Sequence, residues 1–184
     1  MKCAACQTDT LQPVTLEAGL QAHVCSTCGG TWIASPDYWA WREAHGPDQP
    51  AQPAAGTPEP VAETETARAC PACGHILLKF RVGHDVPFTL DHCGNCNGVW
   101  LDRQEWDALR QRNLHDDVHS FFTTAWQHRV RQEEHRRVLE RIYTERFGAE
   151  DYAELRRIRA WLDGHPQRSS LLAYLSDRDP YKLD

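Results

Sequence analysis

The chain has 184 residues, 41% of them hydrophobic and 25% charged, with a formal net charge of -6. Its longest apolar run, Leu171 to Leu175, is far below the roughly 18 to 20 residues that cross a bilayer, and Met1-Lys2-Cys3 is not expected to begin a secretory leader. A soluble cytoplasmic protein with no membrane segment is expected, and the acidic balance opposes sequence-independent coating of nucleic acid. Eight cysteines remain to be explained, and all of them fall in pairs separated by two residues. In a reducing compartment such pairs read as metal ligands before disulfides.

In chain order, Cys3-x2-Cys6 opens a first unit over residues 1–45. Two β-prone stretches follow, Val14 to Glu17 and Ala22 to Val24, joined at Ala18-Gly19 and closed by Cys25-x2-Cys28. Ser35-Pro36 predicts a helix start, with an N-cap hydroxyl before a proline in the first turn, and the helix is expected to end near His45-Gly46. Residues 46–69 carry five prolines, no aromatic side chain and one large apolar one, Val61. That composition cannot bury a core and predicts a semi-stiff, extended linker.

A second unit over 70–109 repeats the first, with Cys70-x2-Cys73 and Cys93-x2-Cys96 at an offset of 67 to 68 residues. CSTCGGTWI answers CGNCNGVWL, so Gly30 aligns with Gly98, Trp32 with Trp100 and Ile33 with Leu101. Strands are expected over Ile76 to Val82 and Val86 to Leu90 around Gly83-His84-Asp85, and Asp102-Arg-Gln-Glu105 has capping-box spacing for a helix to about Arg112. Residues 110–184 are expected to be helical throughout. A long helix is predicted from about Asp116 to Phe147 with Gly148 as its C-cap, then helices from about Glu150 to Leu162 and Ser170 to Ser176, forming a hairpin or small bundle. The whole reads as a small metal-stabilised α+β protein.

Structural zinc takes four tetrahedral thiolate or imidazole ligands, and two C-x2-C turns at opposite ends of a hairpin supply them. The expected ligands are Cys3, Cys6, Cys25 and Cys28 in one site and Cys70, Cys73, Cys93 and Cys96 in the other, with two Zn2+ per chain. Units of this size rarely hold together on apolar burial alone, so metal binding and folding are expected to be coupled. The turn also needs a residue tolerant of left-handed backbone after the second cysteine. Gly29, Gly74 and Asn97 qualify and Gln7 does not, which makes the first knuckle the weakest match. Disulfides and thiol-disulfide exchange at Cys70 and Cys73 are the competing readings, but exchange of the thioredoxin kind needs a strand-to-helix context rather than a hairpin and a second pair.

The second unit, CPACGHILLKFRVGHDVPFTLDHCGNCNGVWLDRQEW, resembles the transcription-factor-IIB-type zinc ribbon of many bacterial and archaeal proteins. Cys70, Cys73, Cys93 and Cys96 fall on that family's zinc ligands, and Gly98, Trp100, Leu101, Asp102 and Glu105 on its trailing motif. The first unit resembles it through Cys3, Cys6, Cys25, Cys28, Gly30 and Trp32, with Ala34 where the family has aspartate and Asp37 where it has glutamate. The resemblance implies zinc binding and, through the namesake ribbon's contact with RNA polymerase, a link to transcription.

Other candidates favour plainer readings. His115 and His119 have helical i,i+4 spacing but no third metal ligand, and are expected on a solvated helix face. His75 and His92 flank cysteines and are expected outside the tetrahedra. Trp32 and Trp100 are expected to shield the metal sites rather than to anchor a partner, while Trp39 and Trp41 point to different helix faces, leaving at least one for solvent or a partner. Arginines 129 to 146 are interleaved with glutamates as in a salt-bridged exposed helix, whereas Arg156, Arg157, Arg159 and Arg168 are candidates for a phosphate face. The sequence thus predicts a non-enzymatic zinc adaptor whose partner is a protein, with the transcription machinery as the candidate, and whose C-terminal helices pack on the second ribbon or form a homo-oligomer. Direct nucleic-acid binding through the ribbon loops and C-terminal arginines is the alternative, and thiol redox chemistry stands behind it. The four thiolates around each Zn2+ leave a net -2 per site, so the metallated chain would carry about -10.

Overall fold

The computed structural model describes residues 1–7, 10–17, 19–46, 66–84 and 86–182. The Pro/Glu-rich stretch 47–65, where the linker was expected, lies outside them. The chain divides into two compact units, Met1–Arg131 and Gln132–Asp184.

In the first unit, six short strands form one antiparallel sheet: β1 (Gln12–Thr15), β2 (Gln21–Val24), β3 (Thr31–Ile33), β4 (Leu78–Arg81), β5 (Thr89–His92) and β6 (Val99–Leu101). Their order across the sheet is β1-β2-β3-β6-β5-β4. Each hairpin and the strand after its second cysteine pair make half of the sheet, and the halves meet where β3 pairs with β6. The register is Thr31 with Leu101, Trp32 with Trp100 and Ile33 with Val99. Since Trp32 and Trp100 are also equivalent in the repeat, the pairing has a pseudo-twofold axis through that tryptophan pair. The two hairpins form where the sequence predicts them, with Ala18 and Asp85 of the expected turns outside the described residues; the third strands, three residues long and each following a metal knuckle, are not predicted. Their alternation is visible only once a partner strand is known.

Alternation along β3 and β6 sorts the side chains onto two faces. Trp32 and Trp100, both almost fully buried, join Cys3, Cys25, Cys70 and Cys93, with Leu11 and Leu77, on one. Ile33, Val99 and Leu101 point to the other, where Tyr38, Trp41, Trp106, Leu109, Val118 and Phe121 cover them. The indoles also explain two glycines. A Cβ at Gly30 would lie 2.2 Å from the Trp100 ring, and one at Gly98 would lie 2.2 Å from the Trp32 ring. Each tryptophan therefore rests on the glycine of the opposite ribbon.

Four helices belong wholly or partly to this unit. α1 (Ser35–His45) carries Pro36 in its first turn and buries Tyr38 and Trp41. Its N-cap is Ala34, which offers no side-chain oxygen, so the expected Ser35 cap is displaced into the helix by one residue. α2 (Glu105–Gln111) buries Trp106, Ala108 and Leu109. The long helix expected from Asp116 is two: α3 (Val118–Phe121) and α4 (Thr124–Phe147). The break lies at Phe122-Thr123, where the Thr123 hydroxyl accepts the Trp126 amide at 3.2 Å and starts a new helix. The early turns of α4 stay on the second ribbon. Trp126 donates its indole N-H to the Val82 carbonyl at 2.9 Å, and Gln127 donates to the Arg81 carbonyl at 2.7 Å. Residues 110–131, placed by sequence in a separate helical module, thus belong to the ribbon unit.

The second unit contains the rest of α4, α5 (Ala149–Asp163) and α6 (Arg168–Ser176). Gly148, at φ +85°, separates α4 from α5 and donates its N-H to the Thr144 carbonyl. Among the described residues of this unit Leu162 is the one buried side chain. Ile142, Phe147, Leu155, Trp161, Tyr174 and Leu175 are all exposed. No helix among the described residues is long and apolar enough to cross a membrane.

Gly30→Ala and Gly98→Ala should each destabilise the metal-loaded protein by about 3 kcal/mol, the upper range for overpacking a filled site. Gly94, whose Cβ would meet nothing, serves as the control, and its alanine variant should stay within about 0.5 kcal/mol of the parent in urea unfolding.

Candidate metal centres

Both cysteine quartets predicted from spacing are assembled. Within each of the two groups, Cys3, Cys6, Cys25 and Cys28, and Cys70, Cys73, Cys93 and Cys96, all four sulfurs lie within 4.8 Å of one another. All eight are free thiols. Sulfur separations are 3.5 Å for Cys3 with Cys28 and for Cys6 with Cys25, 3.6 Å for Cys70 with Cys96, and 3.4 Å for Cys73 with Cys93. A tetrahedron with metal-sulfur bonds of about 2.3 Å has edges of about 3.8 Å, so the donor set fits a zinc-sized ion. In each pair the first cysteine is buried and the second half-exposed, which places each group at the edge of the apolar layer.

Each knuckle is a reversal whose backbone turns left-handed just after the second cysteine: Gln7 at φ 59°, Gly29 at 73°, Gly74 at 76° and Asn97 at 56°. The amides of these residues donate to the carbonyls of Cys3, Cys25, Cys70 and Cys93. The first knuckle, the weakest match by residue type, adopts the same turn as the other three. Gln7 donates its side-chain amide back to the Ala4 carbonyl at 3.0 Å, which partly offsets the cost of left-handed backbone at a residue with a Cβ. Backbone N-H groups also reach sulfur directly, from Cys6 to Cys3 Sγ and from Gly30 to Cys28 Sγ, both at 3.4 Å.

The protein environment alone does not favour thiolates. Burial pushes the Cys3 and Cys70 thiols up to about 12 and raises Cys28 and Cys96 as well. Cys73 is lowered, to about 6, chiefly by a backbone hydrogen bond from His75. Four sulfurs packed together therefore need a cation to ionise together, and a divalent ion supplies that charge.

Behind the second site lies an ion-pair network that composition did not suggest. Arg68 is buried, donating to Asp91 Oδ2 at 2.9 Å and in a fork to both Asp102 oxygens at 2.7 and 3.0 Å. Lys79 meets the other Asp91 oxygen at 3.1 Å. Asp102 also accepts the Trp100 indole N-H at 3.1 Å, and Glu105 accepts the Asp102 amide at 2.7 Å; the N-cap of α2 is Gln104 in left-handed backbone, so the capping box expected from Asp102 does not cap the helix. Burial raises the Glu105 carboxyl to about 8, so it is largely protonated at neutral pH. By composition Arg68 falls within the linker expected over 46–69. The signal available was its position two residues before Cys70 as the single cation in 47–69. In the first ribbon Ala34 stands in the place of Asp102, and the Trp32 indole N-H is buried with no partner among the described residues.

Other candidates fall elsewhere than sequence placed them. His115 is not on a solvated helix face. It precedes α3 and is buried between Trp41 and Trp106, with ring centroids 5.8 and 5.9 Å away and Nε2 3.9 Å from Glu17. Local apolar periodicity cannot reveal this, because the covering rings come from two other helices. His119 packs on Trp39 at 4.8 Å. Trp41 is buried and Trp39 is 46% exposed, so the two rings do diverge. His75 and His92 lie outside both quartets. The arginines considered for phosphate binding have local partners: Arg157 pairs with Glu154 at 2.6 Å, Arg159 and Arg168 share Asp163, and Arg156 lies over the Tyr152 ring.

A family model described as a transcription factor zinc-finger matches the chain twice, over residues 2–44 and 69–112. No curated protein and no solved structure matches it significantly. The double match and the two cysteine quartets support two Zn2+ ions per chain.

Gln7→Gly removes a Cβ from left-handed backbone at the loss of one side-chain hydrogen bond. We expect about 1 kcal/mol of net gain, read as roughly fivefold slower zinc loss from the first site in chelator competition. For Glu105 the folded value lies above the ordinary 4.5, so its stabilising protonation is complete below that value and is lost as pH rises through about 8. Glu105→Gln keeps a neutral side chain at every pH. Its melting temperature relative to the parent should therefore rise between pH 6.5 and 9, and a constant difference across that range would contradict a buried protonated carboxyl.

Proposed function

With residues 2–44 and 69–112 established as tandem zinc ribbons of the transcription-factor-IIB type, we propose that this chain is a non-enzymatic, zinc-dependent adaptor that works in a protein assembly of the transcription machinery. The ligands are Cys3, Cys6, Cys25 and Cys28 for one ion and Cys70, Cys73, Cys93 and Cys96 for the other. Their role is structural. All four thiols of each group are turned towards one point, which leaves no free dithiol for exchange. The ribbon unit supplies a rigid platform because one sheet runs through both halves.

The observation that carries the adaptor reading is the uncovered apolar surface of Gln132–Asp184. Large apolar side chains lie open along all three of its helical segments, including Ile142, Leu155, Trp161 and Leu175 at 44 to 60% exposure, in a unit with almost no buried core. A monomeric surface this rich in apolar groups signals a protein contact. Its charges nearly cancel, ten basic against eleven acidic in residues 132–184, so a second copy meets no strong repulsion and a homo-oligomer is compatible with the same surface. Nucleic acid is the less favoured partner, since the arginines offered for phosphate are engaged locally and the metal sites add negative charge.

The test is capture of the intact, zinc-loaded protein from its host alongside a triple variant, Ile142→Asp, Trp161→Asp and Leu175→Asp, with light scattering on both. The adaptor reading expects a stoichiometric protein, or a second copy, with the parent and its loss in the variant, while both keep two zinc ions. A monomeric parent that recovers no protein but binds oligonucleotides in a salt-dependent manner would overturn it.

A further inference from the structure

The register of the sheet lays Leu78, His92, Val99 and Ile33 side by side in one row on its helix-covered face. Over the inner part of this row the cover is incomplete. A cavity of about 320 Å³ opens there, with Ile33, His92 and Val99 as its floor and with α1, α3 and the turn after α3 as its walls. The walls are mostly rings. Tyr38 and Trp39 come from α1, His119 from α3 and Phe122 from the turn, with His92 and Phe122 stacked at 4.1 Å and Trp39 and His119 in contact at 4.8 Å. Trp39 is nearly half exposed although it lines the cavity, so the site is open to a visitor.

The lining chemistry narrows what that visitor is. No carboxylate, ammonium or guanidinium lines the cavity; its polar residues are Ser35, Asn97, Thr123, the two histidines and Tyr38, whose hydroxyl is engaged with the His115 and Asp116 carbonyls. His119 Nδ1 is buried without a partner among the described residues. Such a site suits a neutral, flat, largely apolar group of one or two fused rings, held by ring contacts and one or two hydrogen bonds. A ring of this kind arrives either on a polypeptide or on a nucleic acid, and charge decides between them. Residues 1–131 carry -5 before metal and about -9 with two zinc-tetrathiolate groups, which repels a polyanion. Asp37 in α1 and Asp117, just before α3, are next in sequence to lining residues. One cation is also near, Arg42, whose guanidinium lies 5.8 Å from the Trp39 ring and is engaged with the Asp116 carbonyl.

We propose that this cavity is an anchor socket for an aromatic side chain of a partner polypeptide, with basic residues flanking the anchor. The inference rests on the adaptor reading and adds a second contact, on the ribbon unit, independent of the exposed helical surface. In it the ribbons serve as more than a scaffold: the β3–β6 junction and α1 build a recognition site that neither ribbon has alone.

The test uses the full zinc-loaded chain labelled with 15N, titrated with the peptide Lys-Lys-Trp-Lys-Lys, with Lys-Lys-Ala-Lys-Lys, and with adenosine. The tryptophan peptide should shift the amides of residues 38–39 and 118–122 saturably, at least tenfold more tightly than the alanine peptide. Trp39→Ala should weaken it by about tenfold with zinc content and melting temperature unchanged, since that side chain is half exposed. Val99→Phe, which fills the floor, should abolish it. Equal shifts with both peptides, shifts away from the cavity, or saturable shifts with adenosine but not with the tryptophan peptide would each overturn the socket. Such a failure, alongside successful capture through the helical surface, would remove the socket and leave the adaptor reading intact.

Discussion

The reciprocal seating of Trp32 on Gly98 and Trp100 on Gly30 is the contact on which the ribbon unit depends. Without it there would be two metal-bound hairpins of about 40 residues, each with too little apolar surface to bury a core of its own. The indoles resolve this by exchange. Each lies in one apolar layer with the buried cysteines and covers the glycine of the other ribbon, so each half completes the apolar layer of its neighbour. Backbone pairing between β3 and β6 fixes the register, and the absence of a side chain at Gly30 and Gly98 lets the rings approach. Because the axis passes through the Trp32–Trp100 pair, both contacts form together or not at all.

The duplication is close enough to build that symmetric junction, yet the halves differ in how they are reinforced. The second holds Asp102, which takes the Trp100 indole and clamps Arg68, and Arg68 in turn ties Asp91 to the segment just before Cys70. The first has Ala34 in that place and, among the described residues, no such clamp and no partner for the Trp32 indole N-H. A buried arginine shared by two carboxylates is costly to desolvate, so its value lies in fixing geometry more than in net stability. The second ribbon is also the one that carries the start of α4. The better-secured half is thus the half that bears the connection to the helical unit.

The metal ligands, the repeat and the hairpins were legible because each leaves a local signature: C-x2-C spacing, a 67 to 68 residue offset, and β-prone runs bounded by glycine. The union of the ribbons was not. Trp32 and Trp100 read as shields for their own sites, and only the β3–β6 register shows that each also roofs the other half. Arg68 was hidden by composition, since residues beside a proline-rich stretch inherit its appearance. His115 was hidden by periodicity, which described a helix that breaks at Phe122-Thr123 and made a buried ring look like part of an exposed face. In each case the deciding neighbour is remote in sequence, and a one-dimensional pattern carries no information about it.

The same junction determines where recognition can occur. An isolated ribbon exposes a flat hairpin face, whereas joining two places α1 of the first half beside β5 and β6 of the second and leaves a ring-lined hollow between them. By the pseudo-twofold, a matching hollow would be expected over Leu101, but Trp106, Trp41 and the buried His115 occupy that side. Trp39 in α1 corresponds to Asp107 in α2, so the aromatic wall exists on one side only. The symmetry that stabilises the sheet is therefore broken where the surface is open. Two equivalent hollows would receive two like segments, whereas among the described residues the hollow over Ile33 and Val99 is open and the rings of Trp106, Trp41 and His115 fill its counterpart, an asymmetry that suits one partner in one orientation.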